Sequence, residues 1–114
     1  MHELSVAMSL IELACDEAER LAPARVLALH VRIGVLTALV PDALRFSFEL
    51  ASASTPIEGT QLVVEEVPLV IACAMCAAEV QAEAPSCACP RCGGPGTIVS
   101  GREIELRALE VCDP

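Results

Sequence analysis

The sequence predicts an α+β fold: two helices packed on a three-stranded mixed sheet, with a separate module interrupting the chain before the last strand. Three observations predict it. Apolar residues recur every three or four positions over residues 3–21 and again after Pro41, the period of one helix face. Residues 25–33, 60–67 and 102–111 read as strands, the first by strict alternation. Between Leu69 and Gly96 the composition shifts to Cys, Ala, Pro and Gly, with few large apolar side chains, so this segment is expected to build no core of its own.

Taken in order, the first helix is expected to turn Leu4, Met8, Ile11, Cys15, Ala18 and Leu21 inward, with Glu12, Asp16, Glu17 and Glu19 on the rest of its circumference. Pro23 stops it, since proline has no N–H and its ring clashes with the preceding turn. The first strand places Leu27, Leu29, Val31 and Ile33 on one side and His30 and Arg32 on the other, so His30 reads as a surface residue of a half-buried strand. Gly34 ends that strand. Pro41-Asp42 opens the second helix, where the aspartate caps or charges the first turn, and Leu44, Phe48 and Ala51 face inward. Residues 52–59, with Pro56 and Gly59, form a linker to the second strand. A strand–helix–strand unit of this length crosses over right-handed if its strands are parallel. The third strand, with Ile104, Leu106 and Ala108 on one face, returns to the first sheet. The expected domains are therefore 1–68 plus 98–114, and an inserted module at 69–97.

A chain of 114 residues holds one modest core, and with only Phe46 and Phe48 as aromatics that core is aliphatic. Mean hydropathy is +0.59, yet the longest apolar stretch, residues 26–40, is interrupted by His30, Arg32, Gly34 and Thr37. A spanning helix needs about 20 apolar residues. Glu3 stands where a secretory leader carries Lys or Arg, so a cytoplasmic protein is expected. Net charge is −9, with seven arginines and no lysine. Such a surface repels phosphate backbones and attracts cations or basic protein patches, which argues against nucleic acid as a partner.

Seven cysteines are present. The odd count and two C-x-x-C turns favour reduced thiols and metal over a disulfide framework. Cys73-x-x-Cys76 and Cys89-Pro-Arg-Cys92-Gly93 are separated by twelve residues. Each pair aims two sulfurs from one tight turn, and two such turns face to face make the closed thiolate cage that structural zinc prefers. The module thus reads as a zinc-ribbon or rubredoxin-like insertion, and a structural zinc supplies roughly 10–16 kcal/mol of apparent binding energy to folding. Cys15 is expected as a small core hydrophobe and Cys112 as incidental to the chain end. Cys87 lies two positions before Cys89, with Ala88 between them, and competes with it for the cage; the x-x spacing favours Cys89 with Cys92. Ala77 follows Cys76 where a glycine suits the turn better.

The chain opens Met1-His2-Glu3. The large His2 side chain disfavours removal of Met1, which leaves an α-amine, two amides and an imidazole in one short stretch. The amine, the His2 amide and the His2 ring close successive chelate rings, and the Glu3 amide completes a square plane. Such a nitrogen set suits Ni(II) or Cu(II) and not zinc. The first N–H groups of a helix have no intrahelical acceptor, so losing those protons to a metal breaks no ladder bond.

The opening M-H-E-L-S, the run V-R-I-G-V-L-T-A-L-V-P-D-A-L-R-F-S-F-E-L, the stretch E-G-T-Q-L-V-V-E-E-V-P, the two C-x-x-C turns and the closing S-G-R-E-I-E-L-R-A-L-E-V together resemble the HypA/HybF family of hydrogenase nickel-incorporation proteins. The resemblance covers essentially the whole chain; the extra Cys87 and Ala77 are its departures. It implies a nickel metallochaperone for maturation of [NiFe]-hydrogenase, and in some organisms of urease. It carries His2 over as the essential nickel ligand, with the Met1 amine and Glu3 backbone beside it, and Cys73, Cys76, Cys89 and Cys92 as the structural zinc ligands. Implied partners are a nickel-handling maturation GTPase and the hydrogenase large-subunit precursor. Two rival readings stand beside it. A zinc-ribbon adaptor for nucleic acid or transcription machinery needs basic and aromatic surface, which a charge of −9 without Tyr or Trp does not offer. A thiol–disulfide enzyme uses a single C-x-x-C at a helix start. Neither histidine belongs to a hydrolytic motif, so the chain is expected not to be an enzyme.

Overall fold

The computed structural model describes residues 3–113. In chain order these form helix α1 (Glu3–Leu21), strand β1 (Arg25–Gly34), a 3-10 turn (Val35–Thr37), helix α2 (Pro41–Ser52) and strands β2 (Gln61–Val67), β3 (Val70–Cys73), β4 (Ala78–Gln81), β5 (Gly96–Ser100) and β6 (Ile104–Cys112). Two three-stranded sheets result, ordered β2-β1-β6 and β4-β3-β5. The Thr60 hydroxyl donates to the Val26 carbonyl at 2.9 Å, which sets the start of β2 beside the start of β1. The Gly34 N–H donates to the Glu103 carbonyl at 2.7 Å, which sets the end of β1 beside the start of β6. The first sheet is therefore mixed, with β1 and β2 parallel and β6 antiparallel to them, and the α+β class follows.

Two compact units are present. One gathers α1, β1 as far as Val31, Leu39–Glu65 and the chain from Glu105; the other gathers Arg32–Ala38 and Glu66–Ile104. The strand reading of β1 holds: Leu29, Val31 and Ile33 are buried, while His30 and Arg32 are half-buried. Leu27, at the start of the strand, is exposed instead. Leu44 and Phe48 of α2 are fully buried, worth roughly 1.5–3 kcal/mol each relative to exposure.

The inward face of α1 differs from expectation. Val6, Ala7, Leu10, Ile11 and Ala14 are buried, whereas Leu4 and Met8 are 51% and 59% exposed. At about 100° per residue, the true seam is rotated by about 75° from the expected one. The cause is packing: α1 lies against α2, and the face that carries the fully buried Ala7 and Ala14 admits closer approach of its neighbours than a face of Leu and Met would. β6 also differs. Ile104 and Ala108 are exposed, and only Leu106 and Leu109 are half-buried, because β6 is an edge strand with a neighbour on one side only.

In the second unit, β3 pairs antiparallel with β4 (Cys73 opposite Ala78) and with β5 (Cys73 opposite Gly96). Contrary to expectation, this unit has a small core: Leu69, Ile71, Cys73, Val80, Ala82 and Cys89 are buried together. Two of those six are cysteines of the C-x-x-C pairs. Leu36, from the turn after β1, packs against the cluster from outside the cysteine segment.

Candidate metal centre

The first C-x-x-C pair occupies the turn between β3 and β4. Cys73 is the last residue of β3, and its register opposite Ala78 fixes where the sulfur emerges. Chain reversal puts Ala77 at φ 52, a left-handed conformation that glycine adopts without cost and alanine does not. The Cys76 N–H donates to the Cys73 Sγ at 3.4 Å. The second pair forms a matching turn: the Gly93 N–H donates to the Cys89 carbonyl at 2.7 Å, Gly93 takes φ 74, and the Gly94 N–H donates to the Cys92 Sγ at 3.4 Å. N–H groups aimed at sulfur favour the thiolate over the thiol.

The sequence places these four thiols together, and the structure does so too. All four Sγ atoms lie within 4.8 Å of one another, with Cys73–Cys92 at 3.5 Å and Cys76–Cys89 at 3.9 Å. A regular tetrahedron with metal–sulfur bonds of about 2.3 Å has edges of about 3.8 Å, so the observed separations bracket that of a closed four-thiolate site. The first cysteine of each pair, Cys73 and Cys89, is buried in the small core; Cys76 is half-buried and Cys92 exposed. The centre therefore doubles as a packing element.

Electrostatics divides the thiols. Hydrogen bonds with Cys92, then Cys73 and Cys89, push the Cys76 thiol up to about 12. The backbone N–H groups of Cys92 and Arg91 pull Cys89 down to about 7. At Cys92 the Gly94 N–H pulls downward, but the Cys73 hydrogen bond and burial outweigh it and the thiol ends raised. Four sulfurs this close share protons until a cation replaces them.

The remaining cysteines stand apart from the cage. Cys87 is half-buried against the small core with its Sγ 3.9 Å from the Pro85 carbonyl, and it is not among the clustered thiols. Cys112 is exposed. Cys15 is half-buried beside Asp16, Glu19 and Arg25 in a surface cleft, so the rotation of α1 moves it out of the expected core. His30 Nε2 lies 2.5 Å from Glu110 Oε1 on the outer face of the first sheet, as its strand position implies.

At the amino-terminal end, Met1 and His2 lie outside the described residues. Glu3 opens α1, and its carboxylate accepts the Val40 N–H at 3.1 Å, where Val40 is the N-cap residue of α2. This bond was not legible in the sequence, because the acceptor and donor are 37 residues apart and the donor is a backbone group.

A family model described as hydrogenase/urease nickel incorporation, metallochaperone, hypA matches residues 1–111. The hydrogenase maturation factor HypA of Chloroflexus aurantiacus is 50% identical over 112 residues, covering 96% of this chain and 98% of its own. That of a Roseiflexus species is 47% identical over 115 residues, covering 99% and 94%. The solution structure of the Ni metallochaperone HypA from Helicobacter pylori superposes with a TM-score of 0.65 at 26% identity, covering 96% of this chain and 97% of that one. A second HypA solution structure gives 0.72 at 24% identity over 98% and 97%, a likeness of fold. With a four-cysteine metal site in place and the family pattern spanning almost its full length, the chain belongs to the HypA family of hydrogenase and urease nickel-incorporation metallochaperones.

Proposed function

We propose that this chain binds Ni(II) at its amino terminus and delivers it for maturation of [NiFe]-hydrogenase, with urease as a further recipient where that enzyme is present. The nickel ligands are the Met1 amine, the amide and imidazole of His2, and the Glu3 amide. The observation that carries this reading is that the family match begins at residue 1, at the one stretch of the chain whose chemistry suits a square-planar cation. The hydrogen bond from Val40 to Glu3 supports the division of roles at Glu3: its carboxylate ties α1 to the start of α2, and its backbone nitrogen serves the metal.

Cys73, Cys76, Cys89 and Cys92 hold a structural Zn(II), and residues 69–97 act as a zinc-binding domain inserted in a nickel-binding domain of 1–68 plus 98–114. Support comes from the all-sulfur donor set, its near-tetrahedral edges and the smallness of the surrounding core. Zinc here fixes the fold and takes no part in turnover; the protein is a carrier and not an enzyme. The partners are a nickel-handling GTPase of the same pathway and the hydrogenase large-subunit precursor. The chain's place of work is the cytoplasm. No helix among the described residues is long and apolar enough to cross a membrane.

Transfer demands an affinity that permits release. A micromolar site holds nickel by only about 8 kcal/mol, which a tighter recipient site overcomes. The test is an amino-terminal extension of two residues. It should abolish stoichiometric nickel binding while zinc content and thermal stability stay unchanged; undiminished nickel binding by the extended protein would refute the site.

A further inference from the structure

The first unit carries an open cleft of about 690 Å³ between α2 and β2, whose lining includes Phe46, Glu49, Leu50, Glu58, Leu62 and Val63. Phe46 and Leu50 are one helical turn apart on α2, on the side away from the buried Leu44 and Phe48, and they are 62% and 63% exposed. Val63 on β2 is 39% exposed. Exposed large apolar side chains scattered singly are ordinary, but three lining one cleft are a patch.

The other wall of the cleft is the first half of a sheet-edge strand, ahead of the charged Glu65 and Glu66. β2 is the outer strand of its sheet, and β1 is its only strand partner among the described residues. Proteins guard such edges with lysine, proline or bulges, because a row of unpaired backbone groups templates another strand. The cleft-lining stretch Gln61-Leu62-Val63 and the following Val64 carry no charge, no proline and no glycine. The rim is acidic: Glu49 and Glu58 stand on it, and the positive charge of Arg45 is matched by Asp42 at 2.7 Å.

We infer that this cleft is a docking site for an extended segment of a partner protein in which apolar side chains alternate with Lys or Arg. The segment adds to the free edge of β2, its apolar side chains cover Phe46, Leu50 and Val63, and its cations face Glu49 and Glu58. Strand addition supplies main-chain hydrogen bonds, and alternate side chains supply specificity. Charge selects the occupant: a second copy of this chain would bring −9 against −9, whereas a basic segment is steered toward the rim. The inference does not depend on the nickel reading, and its test involves no nickel.

The test is titration of the isotope-labelled, zinc-loaded full chain with a synthetic peptide alternating Lys and Val, and with its Glu-for-Lys counterpart, followed by amide chemical shifts. The Lys–Val peptide should shift residues 61–65 and 45–53, slow exchange of the β2 amides, and bind more weakly as salt rises. The Glu–Val peptide should not bind. The double variant Phe46→Ser/Leu50→Ser, which alters only exposed side chains, should bind about tenfold or more weakly. Any of four outcomes overturns the proposal: no shifts, shifts unaffected by the double variant, shifts scattered over the acidic surface, or shifts that follow protein concentration without peptide. The last would make a second copy the occupant.

Discussion

Glu3 separates two roles that a carboxylate beside a metal site can play. Its Oε2 accepts the Val40 N–H at 3.1 Å, and its charge sits in the first turn of α1, where the helix dipole favours an anion. Replacing it by alanine removes both. Val40 is 54% exposed, so water replaces the carboxylate and the bond contributes only about 1 kcal/mol. The dipole term adds about 0.3–1 kcal/mol. Glu3→Ala should therefore cost about 1–2 kcal/mol in urea unfolding of the zinc-loaded protein. Glu3→Gln keeps an acceptor and loses only the charge, so it should cost less than about 1 kcal/mol. If the backbone amide is the ligand, both variants should hold nickel within about threefold of wild type, a change under about 1 kcal/mol. Unchanged stability in Glu3→Ala would refute the tie to Val40. A tenfold or larger loss of nickel affinity in both variants, with stability retained, would make the carboxylate a ligand and refute the division of roles.

Other perturbations give separate checks. Cys73→Ser opens the cage and puts a hydroxyl into the small core, so zinc content should fall below one per chain and the cysteine unit should lose protection in hydrogen exchange; full retention of tightly held zinc would show that the ligands were misassigned. Zinc binding to the metal-free protein should release protons, since Cys76, pushed up to about 12, and the raised Cys92 are thiols at neutral pH. As pH falls through about 7, Cys89 also takes a proton, so each zinc must displace one more and the affinity should fall more steeply with pH, by about an extra tenfold per unit; an equal slope above and below pH 7 in competition titrations would contradict this. Gly34→Ala would place a Cβ 2.0 Å from the Gly101 carbonyl oxygen. The two backbones must part, breaking the Gly34–Glu103 and Leu36–Gly101 hydrogen bonds at 2.7 and 2.9 Å, at a cost of about 2–4 kcal/mol. An unchanged melting curve would contradict it.

The parts of this molecule that were legible in the sequence are those with a local signature. Alternation over residues 25–33 identified β1 and the outward side of His30, Pro41 marked the start of α2, and C-x-x-C spacing brought four thiols together from two turns. What was not legible depends on partners distant in sequence. Residues 3–21 are apolar around much of the circumference, so a 3–4 spacing fits more than one seam, and only tertiary packing selects the one through Ala7 and Ala14. Ile104, Leu106 and Ala108 show a strand period, but a period does not reveal that β6 is an edge strand. Leu36 carries no local mark of its place in the cysteine unit; that follows from the close approach of Gly34 to Gly101 and the packing of Leu36 against the small core. The core of the cysteine unit has no sequence signature, because two of its six buried residues, Cys73 and Cys89, carry a ligand's spacing while supplying apolar volume.

Nickel titration of the zinc-loaded protein with its native Met1 terminus, beside His2→Ala, decides whether the amino terminus holds the cargo. One nickel per chain is expected, bound as a diamagnetic square-planar species with an imidazole ligand, and lost in His2→Ala while the four-cysteine zinc site remains filled. Equal nickel binding by both proteins would place the cargo elsewhere and contradict the amino-terminal site.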